Sequence, residues 1–365
     1  MFFDFRVAST ADIASLVALE QECFTLDRLR SRNFHWLLGR GNASLIVAER
    51  DGHLAGYALL LFHRGTSLAR LYSIAVSPRW RGQGLGPELL RMAEGSALSR
   101  DCAWLRLEVR PDNPAAIALY EAHGYRRFAV VEDYYEDHAR ALRYEKRILC
   151  QAPPPARQVP YYPQTTGFTC GAACLLMAMG AIDKGRQLQR SEEIQLWREA
   201  TTVFMTAGHG GCSPQGLALA AWRRGMGVRL VVSQTGSLFL DGVRNQEKKT
   251  VMRLVEEGFA DSLAATDVEH VIAPTLDVCA ALADGFWPLV LISSYRLTRL
   301  KAPHWVLVTG CDDDFVYLHD PDVDHSRQRH ALDCQHLPVS HGEFQRMSAF
   351  GRQRVRAAVL LRARG

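Results

Sequence analysis

The chain has 365 residues, of which 48% are hydrophobic and 22% charged, and a formal net charge of +4. This length exceeds the size at which a single hydrophobic core stops growing, so two domains are expected. The composition excludes a disordered chain, and the mild positive charge gives no reason to expect nucleic acid as a partner. Since neither a signal peptide nor a long apolar stretch is visible, we expect a cytoplasmic protein without a membrane segment.

The cysteines predict reduced thiols. The chain has nine of them, an odd number without a C-x-x-C pair. Without an export signal, this pattern favours free thiols over a disulfide framework. His209 and Cys212 flank two glycines and are both residue types that bind metals. Without further ligands they favour a glycine-rich loop over a metal site, so no metal is expected.

A proline-dense segment divides the chain. Five of the fifteen prolines lie between Gln151 and Pro163. Such segments are extended and semi-rigid, and they join domains more often than they lie inside them. We therefore predict a first domain at 1–150, a linker at 151–158 and a second domain at 159–365. The linker is short, so we expect the two domains to contact each other.

The first domain alternates helical and extended patterns. Ser9 is a predicted N-cap for a helix over Ile13–Cys23, and Asp51-Gly52 predicts a hairpin turn. Gly124 is a predicted C-cap. The other predicted elements are strands at 43–49, 54–62, 71–76, 104–109 and 125–131, and helices at 87–100 and 114–123.

The segment from Arg81 to Gly86 reads R-G-Q-G-L-G between a predicted strand and a predicted helix. Such a loop presents free backbone N–H groups at the positive end of a helix, an arrangement that binds a pyrophosphate. Arg79 and Arg81 add positive charge. The spacing differs from the dinucleotide-binding G-x-G-x-x-G, and a tight turn with a purely structural role remains an alternative.

Two motifs in this domain resemble the GNAT acetyltransferase superfamily. They are R-x-x-G-x-G at Arg81–Gly86 and N-x-x-A-x-x-L-Y-E-x-x-G-Y at Asn113–Tyr125. Leu107–Arg110 and the pair Tyr134-Tyr135 add a likeness to bacterial acetyltransferases that modify the N-terminal alanine of a ribosomal protein. The likeness spans residues 4–149 and implies a GNAT fold, with a mixed central sheet flanked by helices.

The resemblance implies acetyl-CoA as cofactor and a peptide or protein amine as acceptor. Tyr144 stands where the family commonly has methionine, which leaves the acceptor preference open. The positions that the resemblance assigns to the cofactor are Ile74, Val76, Arg79, Arg81, Gly82, Gly84, Leu85, Gly86, Asn113 and Tyr120.

Acetyl transfer needs a base for the arriving ammonium and an acid for the departing thiolate. Glu108, at the end of a predicted strand, is the candidate base, directly or through water. Tyr120, on the following helix, is the candidate acid. The alternatives are a Glu108 that only pairs with Arg106 or Arg110, and a Tyr120 that only packs in the core.

The second domain carries a candidate thiol nucleophile. From Cys170 to Met179 the residues are small or apolar, which predicts a buried helix with Cys170 in its first turn. A helix N-terminus lowers the pKa of a thiol, and the thiolate is the reactive species. Gln164, six residues earlier, is placed to help hold a developing oxyanion. Cys174, one turn later, is expected to be a core residue.

A base and an orienting carboxylate follow much later. His304 begins a predicted strand, and a second strand, Phe315–His319, ends at Asp320. A hairpin between the two strands brings Asp320 beside His304, where a carboxylate fixes the imidazole tautomer. The four residues Gln164, Cys170, His304 and Asp320 together predict a cysteine peptidase site. The polar section from 183 to 261 is expected to shape a substrate groove.

Three segments of this domain resemble papain-like cysteine peptidases of the bacteriocin-leader-processing family. They are Q-T-T-G-F-T-C-G-A-A-C, P-H-W-V-L-V-T-G-C-D and H-D-P. The resemblance covers residues 158–330 and implies a papain-like fold, so the whole chain is expected to be a two-domain α+β protein. A bifunctional acetyltransferase and cysteine peptidase is the favoured interpretation. A non-hydrolytic peptide-binding module and a transpeptidase or amide-forming enzyme remain alternatives for the second domain, and the oligomeric state is open.

Overall fold

The computed structural model describes residues 3–39, 42–149, 159–203, 209–235, 239–240, 243–324 and 329–365. The residues group by their mutual contacts into two compact units, Met1–Pro154 and Pro155–Gly365. The predicted linker at 151–158 lies outside the described residues. Both units combine helices with a sheet, as expected for the α+β class. No helix in the described ranges is long and apolar enough to cross a membrane.

The first unit is a sheet of seven described strands in the order β1-β2-β3-β4-β5-β7-β6. Its strands are β1 Asp4–Val7, β2 Ala43–Arg50, β3 His53–Phe62, β4 Leu68–Val76, β5 Trp104–Val109, β6 Arg126–Val131 and β7 Ala141–Arg147. Its helices are α1 Ile13–Cys23, α2 Ser31–Gly39, α3 Leu85–Leu98 and α4 Pro114–Ala122. β4 and β5 run parallel and the other pairs run antiparallel, so the sheet is mixed, as predicted.

Local signals explain the elements that were predicted closely. Ser9 forms a capping box with Asp12 in the turn that leads into α1. Asp51 and Gly52 have φ values of 52° and 74°, as a two-residue hairpin turn between β2 and β3 requires. Gly124, with φ of 82°, follows α4. β1, α2 and β7 were not predicted.

The second unit contains another sheet of seven described strands, in the order β13-β12-β11-β10-β14-β8-β9. The strands are β8 Met226–Val232, β9 Glu269–Ile272, β10 Trp287–Ser293, β11 Pro303–Cys311, β12 Phe315–His319, β13 Leu337–Ser340 and β14 Ala357–Ala363. The helices are α5 Cys170–Ile182, α6 Arg190–Ala200, α7 Pro214–Trp222, α8 Gln246–Ala264, α9 Val278–Ala283, α10 Tyr295–Thr298 and α11 His341–Met347.

The core of this unit is built around α5. Every residue from Cys170 to Gly180 is buried, and the helix packs on β10 and β11. A helix that is apolar on all sides is stable only when enclosed, so its composition places it at the centre of the unit. The section from 183 to 261 was expected to shape a substrate groove, and that expectation stays a prediction. It supplies α6, the buried helix α7 and the sheet strand β8, which belong to the core.

Candidate active sites

The glycine-rich loop of the first unit precedes α3. Gly82 and Gly84 have φ values of 75° and 82°, a conformation that glycine adopts at little cost and other residues do not. Gly84 is the N-cap of α3, and a Cβ built at either glycine meets no atom within 4 Å. The loop therefore offers open backbone at the positive end of a helix, an arrangement suited to a phosphate group.

The half of β4 next to this loop is not paired with β5. In the described register the two strands pair from Leu68 to Leu71 only, so Ile74 and Val76 lie beyond the paired part. The Val76 carbonyl accepts hydrogen bonds from the Arg81 side chain, with Nε at 3.2 Å, and from Cys23, with Sγ at 3.4 Å. The Arg81 bond holds the loop against the end of the strand, and the Cys23 bond holds the end of α1 at the same point.

Three other predicted cofactor positions have identified roles in the fold. The Arg79 guanidinium lies 4.8 Å from the centre of the Trp80 ring. The Asn113 Oδ1 accepts from the Ala116 N–H at 3.1 Å and so caps α4. Leu85 is the first residue of α3 and is buried.

Glu108 lies in a buried ion-pair cluster. Its two oxygens accept from Arg70 Nε at 2.7 Å and from Arg143 Nε at 3.0 Å, and its side chain is 4% exposed. If Glu108 had only a structural role, Arg106 or Arg110 was expected to be its partner. That expectation was wrong, since both arginines pair with other carboxylates. Two guanidinium groups therefore compete with a substrate proton for the Glu108 carboxylate.

Tyr120 is buried on α4 beside two other tyrosines. Its ring centre lies 5.9 Å from that of Tyr125 and 6.5 Å from that of Tyr144. Burial raises the pKa of Tyr120 above its usual value. A tyrosine hydroxyl is protonated at neutral pH even without this shift, and the shift makes it a weaker proton donor.

In the second unit, Cys170 is the first residue of α5, as predicted, and is 8% exposed. The positive end of the helix dipole stabilises negative charge on its sulfur. The next residue must be glycine, because a Cβ at Gly171 would lie 2.9 Å from Cys212 Cβ and 3.1 Å from Trp305 Cδ1. This close approach brings the start of α5 against the strand that carries His304.

His304 and Asp320 meet as the predicted hairpin of β11 and β12 requires. His304 Nε2 lies 2.7 Å from Asp320 Oδ1, and both side chains are buried. Burial alone would lower the pKa of His304, but the charges of Asp320 and Cys170, and hydrogen bonds to both, raise it well above its usual value. Since Nε2 faces Asp320, the other ring nitrogen, Nδ1, is the one available to the Cys170 thiol.

Asp320 is held by further contacts. Its Oδ1 also accepts from the Asp322 N–H at 2.9 Å, and its Oδ2 accepts from the Arg329 guanidinium. Burial opposes ionisation of this carboxyl, but Arg329 and His304 hold its pKa well below the usual range. A charged Asp320 stabilises the imidazolium form of His304.

Gln164 lies next to this group, on the segment before α5. Its backbone N–H donates to the Pro321 carbonyl at 2.9 Å, and its Nε2 donates to Asp322 Oδ1 at 3.3 Å. In the described residues its buried Oε1 has no hydrogen-bond partner. The expected bond from Gln164 to an oxyanion stays a prediction.

Sequence reasoning missed a buried carboxylate that holds this segment. Glu193 on α6 accepts hydrogen bonds from the Thr165 N–H at 2.8 Å, the Thr165 hydroxyl at 2.6 Å and the Tyr162 hydroxyl at 3.0 Å. Glu193 is fully buried. It thereby fixes the residues on both sides of Gln164. Its only sequence signal is an acidic residue at a buried helical position.

Two of the remaining cysteines next to the site are core residues. Cys174 is fully buried and its Sγ donates to the Trp305 carbonyl, at 3.4 Å, as expected for a core thiol. Burial raises the pKa of Cys174 and of Cys212. His209 packs with its ring centre 4.9 Å from that of Phe168.

The prediction that all thiols are reduced was wrong at one pair. Cys279 and Cys311 form a disulfide, with their Cα atoms 5.6 Å apart. Cys279 is on α9 and Cys311 ends β11, and the fold brings these two elements together. Their separation of 32 residues has no local signature, which is why the pattern of cysteines did not reveal them.

Family models match both units. The Acetyltransferase (GNAT) family matches residues 13–125, and the Peptidase_C39 like family matches residues 159–362. A putative [ribosomal protein bS18]-alanine N-acetyltransferase of Bacillus subtilis is 35% identical over 126 residues, which cover 34% of this chain and 82% of that protein.

The matches include a protein and a solved structure from Escherichia coli. Its [ribosomal protein bS18]-alanine N-acetyltransferase is 45% identical over 67 residues, which cover 18% of this chain and 45% of that protein. A crystal structure of the ribosomal-protein-S18-alanine N-acetyltransferase covers 42% of this chain and 97% of that chain, with 27% identity and a TM-score of 0.37. By the family matches and the Bacillus relative, this chain belongs to the GNAT acetyltransferases through its first unit and to the Peptidase_C39 like family through its second.

Proposed function

We propose that the first unit transfers the acetyl group of acetyl-CoA to the N-terminal amine of a peptide or protein. The observation that carries this proposal is the open loop at Gly82 and Gly84, at the start of α3 and beside the unpaired half of β4. The relatives are named as N-acetyltransferases that act on an alanine of a ribosomal protein, which supports an N-terminal amine as the acceptor.

In this proposal the amine nitrogen attacks the thioester carbonyl, the C–S bond breaks, and Tyr120 gives its proton to the CoA thiolate. Glu108 receives the amine proton, directly or through water. Its ion pairs with Arg70 and Arg143 must weaken for it to bind that proton. This last requirement makes Glu108 the residue to test.

The test compares Glu108→Gln with Glu145→Gln. Both carboxylates are buried and paired with arginine, Glu145 with Arg106 at 3.1 Å, but only Glu108 is the proposed proton acceptor. We expect Glu108→Gln to lower kcat of acetyl transfer by about 10²–10⁴-fold, the usual worth of a general base. Equal losses of kcat and of thermal stability in the two variants would assign Glu108 a structural role instead.

We propose that the second unit is a cysteine peptidase. Cys170 Sγ attacks a peptide carbonyl, the C–N bond breaks as His304 gives a proton to the leaving amine, and water then opens the thioester while His304 takes the water proton. The observation that carries this proposal is the buried His304, bonded to Asp320 at 2.7 Å and interacting with the Cys170 thiol. Gln164 and the Cys170 N–H are the proposed oxyanion donors.

A peptide library incubated with acetyl-CoA and read by mass spectrometry tests both units in one experiment. The wild type is expected to produce acetylated and cleaved peptides. Cys170→Ala should abolish cleavage and leave acetylation, and Glu108→Gln should do the reverse. Added primary amines distinguish hydrolysis from transpeptidation, because an amine that opens the thioester appears in the product mass. A second unit that only binds peptides gives identical cleavage patterns for the wild type and Cys170→Ala.

A further inference from the structure

Three side chains of metal-ligand type meet in the second unit, away from the proposed peptidase site. They are Cys279 on α9, Cys311 at the end of β11 and His341 at the start of α11. One ligand atom from each lies within 4.8 Å of the other two, and all three residues are half-buried. Three separate elements therefore converge on one point.

The His341 ring is held by a hydrogen bond to the backbone. Its Nε2 lies 2.7 Å from the Asp312 carbonyl oxygen, and a carbonyl only accepts, so Nε2 carries the proton and Nδ1 carries the lone pair. Metal-binding histidines commonly donate their second nitrogen to a carbonyl in this way. Asp312 lies in the turn between β11 and β12. Its carboxylate fixes this turn, because it accepts from the N–H groups of Asp314 and Phe315 and from the Tyr317 hydroxyl.

We propose that the reduced forms of Cys279 and Cys311, together with His341, bind a zinc ion, and that the disulfide is the metal-free oxidised form of the same site. Two thiolates and an imidazole are the ligands that zinc prefers, with a water completing a tetrahedron. Magnesium and calcium prefer carboxylate and carbonyl oxygens, which this ligand group does not supply.

Zinc binding and the disulfide exclude each other because both use the same sulfur atoms. Oxidation by a hydroperoxide joins the two thiolates through an S–S bond and breaks the peroxide O–O bond. Two electrons pass from sulfur to oxygen, two protons are taken up, an alcohol and a water leave, and the zinc ion is released.

The site is separate from the peptidase triad. His304 and Cys311 lie on the same strand, β11, seven residues apart. At a rise of about 3.3 Å per residue, the two positions are about 23 Å from each other. Substitutions at Cys279 or Cys311 therefore leave the contacts of Cys170 and His304 in place.

Zinc titration of the reduced full-length chain tests the proposal, with a chromophoric chelator as competitor. The chain carries Cys170→Ala in all samples, because the thiol and imidazole of the triad are themselves zinc ligands. We expect one zinc per chain, and thiolate-to-metal charge-transfer absorption when cobalt replaces zinc. Cys279→Ser, Cys311→Ser and His341→Gln should each weaken binding by at least about 100-fold, since loss of an outer-shell contact alone costs about 10- to 100-fold.

Cys23→Ser is the matched control, because Cys23 is a half-buried thiol in the first unit, and it should bind zinc like its parent. Alkylation is a second assay, and it requires no substitution at the three ligand residues. Zinc should protect Cys279 and Cys311 of the reduced chain from iodoacetamide, as read from their peptides by mass spectrometry. Absence of zinc binding by the reduced chain, undiminished affinity in both cysteine variants, or equal alkylation with and without zinc would overturn the proposal.

Discussion

Asp320→Asn separates the two roles that we assign to the Asp320 side chain. Oδ1 accepts from His304 Nε2 and from the Asp322 N–H, whereas Oδ2 accepts from Arg329. An asparagine keeps a carbonyl oxygen at the first position, so His304 remains oriented. At the second position it places an N–H₂ group against the guanidinium, which leaves a buried cation facing a donor.

The expected loss of stability in Asp320→Asn follows from the buried Arg329 guanidinium, which loses its carboxylate partner. Removing one partner of a buried ion pair costs about 3–5 kcal/mol. Asp322 Oδ2 remains 3.7 Å from Arg329 Nη1 and compensates in part, so we take the lower end, about 3 kcal/mol. For a domain of about 200 residues this corresponds to a fall in Tm of roughly 6–12 °C.

Calorimetry of the whole chain measures this fall, with the transition of the first unit as an internal control. The double variant Asp320→Asn/Arg329→Met removes the stranded cation, so it should recover most of the loss. A cost below about 1 kcal/mol for the single variant, or a double variant no more stable than the single one, would refute the reasoning.

The same variant should change the pH dependence of the proposed peptidase activity. Without the negative charge of Asp320, the pKa of His304 falls, because that charge helps to raise it above its usual value. The imidazolium is then lost at lower pH. The alkaline limb of the rate profile should move to lower pH, and an unmoved limb would show that Asp320 does not set the charge state of His304.

Three further outcomes are expected. Glu193→Gln replaces a buried carboxylate that accepts three hydrogen bonds, and it should lower the free energy of unfolding in urea by about 1–3 kcal/mol. Glu192 is more exposed, so Glu192→Gln should lower it less, and equal losses would contradict this. Gly84→Ala should lose about 1–2 kcal/mol and weaken acetyl-CoA binding because φ is 82°, while Gly95→Ala, in the same helix with open space around it, should gain about 0.5–1 kcal/mol; a neutral Gly84→Ala would remove the conformational argument. The pKa of Asp320 is lowered on folding, so its contribution to stability is complete above about pH 4 and is lost as the pH falls further; unfolding free energies that stay constant from pH 5 to about pH 2 would count against it.

The features that were predictable from the sequence depend on neighbours in the chain. The helix at Ile13–Cys23 and the strand at Phe315–His319 match the structure because caps, turns and apolar periodicity are local signals. The pairing of His304 with Asp320 was also predictable. A hairpin fixes its register through its own turn, so two residues 16 apart meet without any knowledge of the rest of the fold.

The contacts that were missed depend on the order of elements in space. Glu108 pairs with Arg70 from β4 and Arg143 from β7, which lie on either side of β5 in the sheet. No periodicity in the sequence gives that strand order. For the same reason the Cys279–Cys311 pair was invisible, because the approach of α9 to β11 is a tertiary event.

The position of β14 has a consequence for how the second unit is made. β14 comes after every other strand of its sheet in the chain, yet it lies in the interior, between β10 and β8. During synthesis the ribosome therefore releases four strands on one side and two on the other before the strand that joins them. Until β14 is inserted, β10 and β8 both present open edges that other chains can pair with. A polypeptide that stops short of Ala357 should accumulate as an aggregating fragment rather than as a folded second unit.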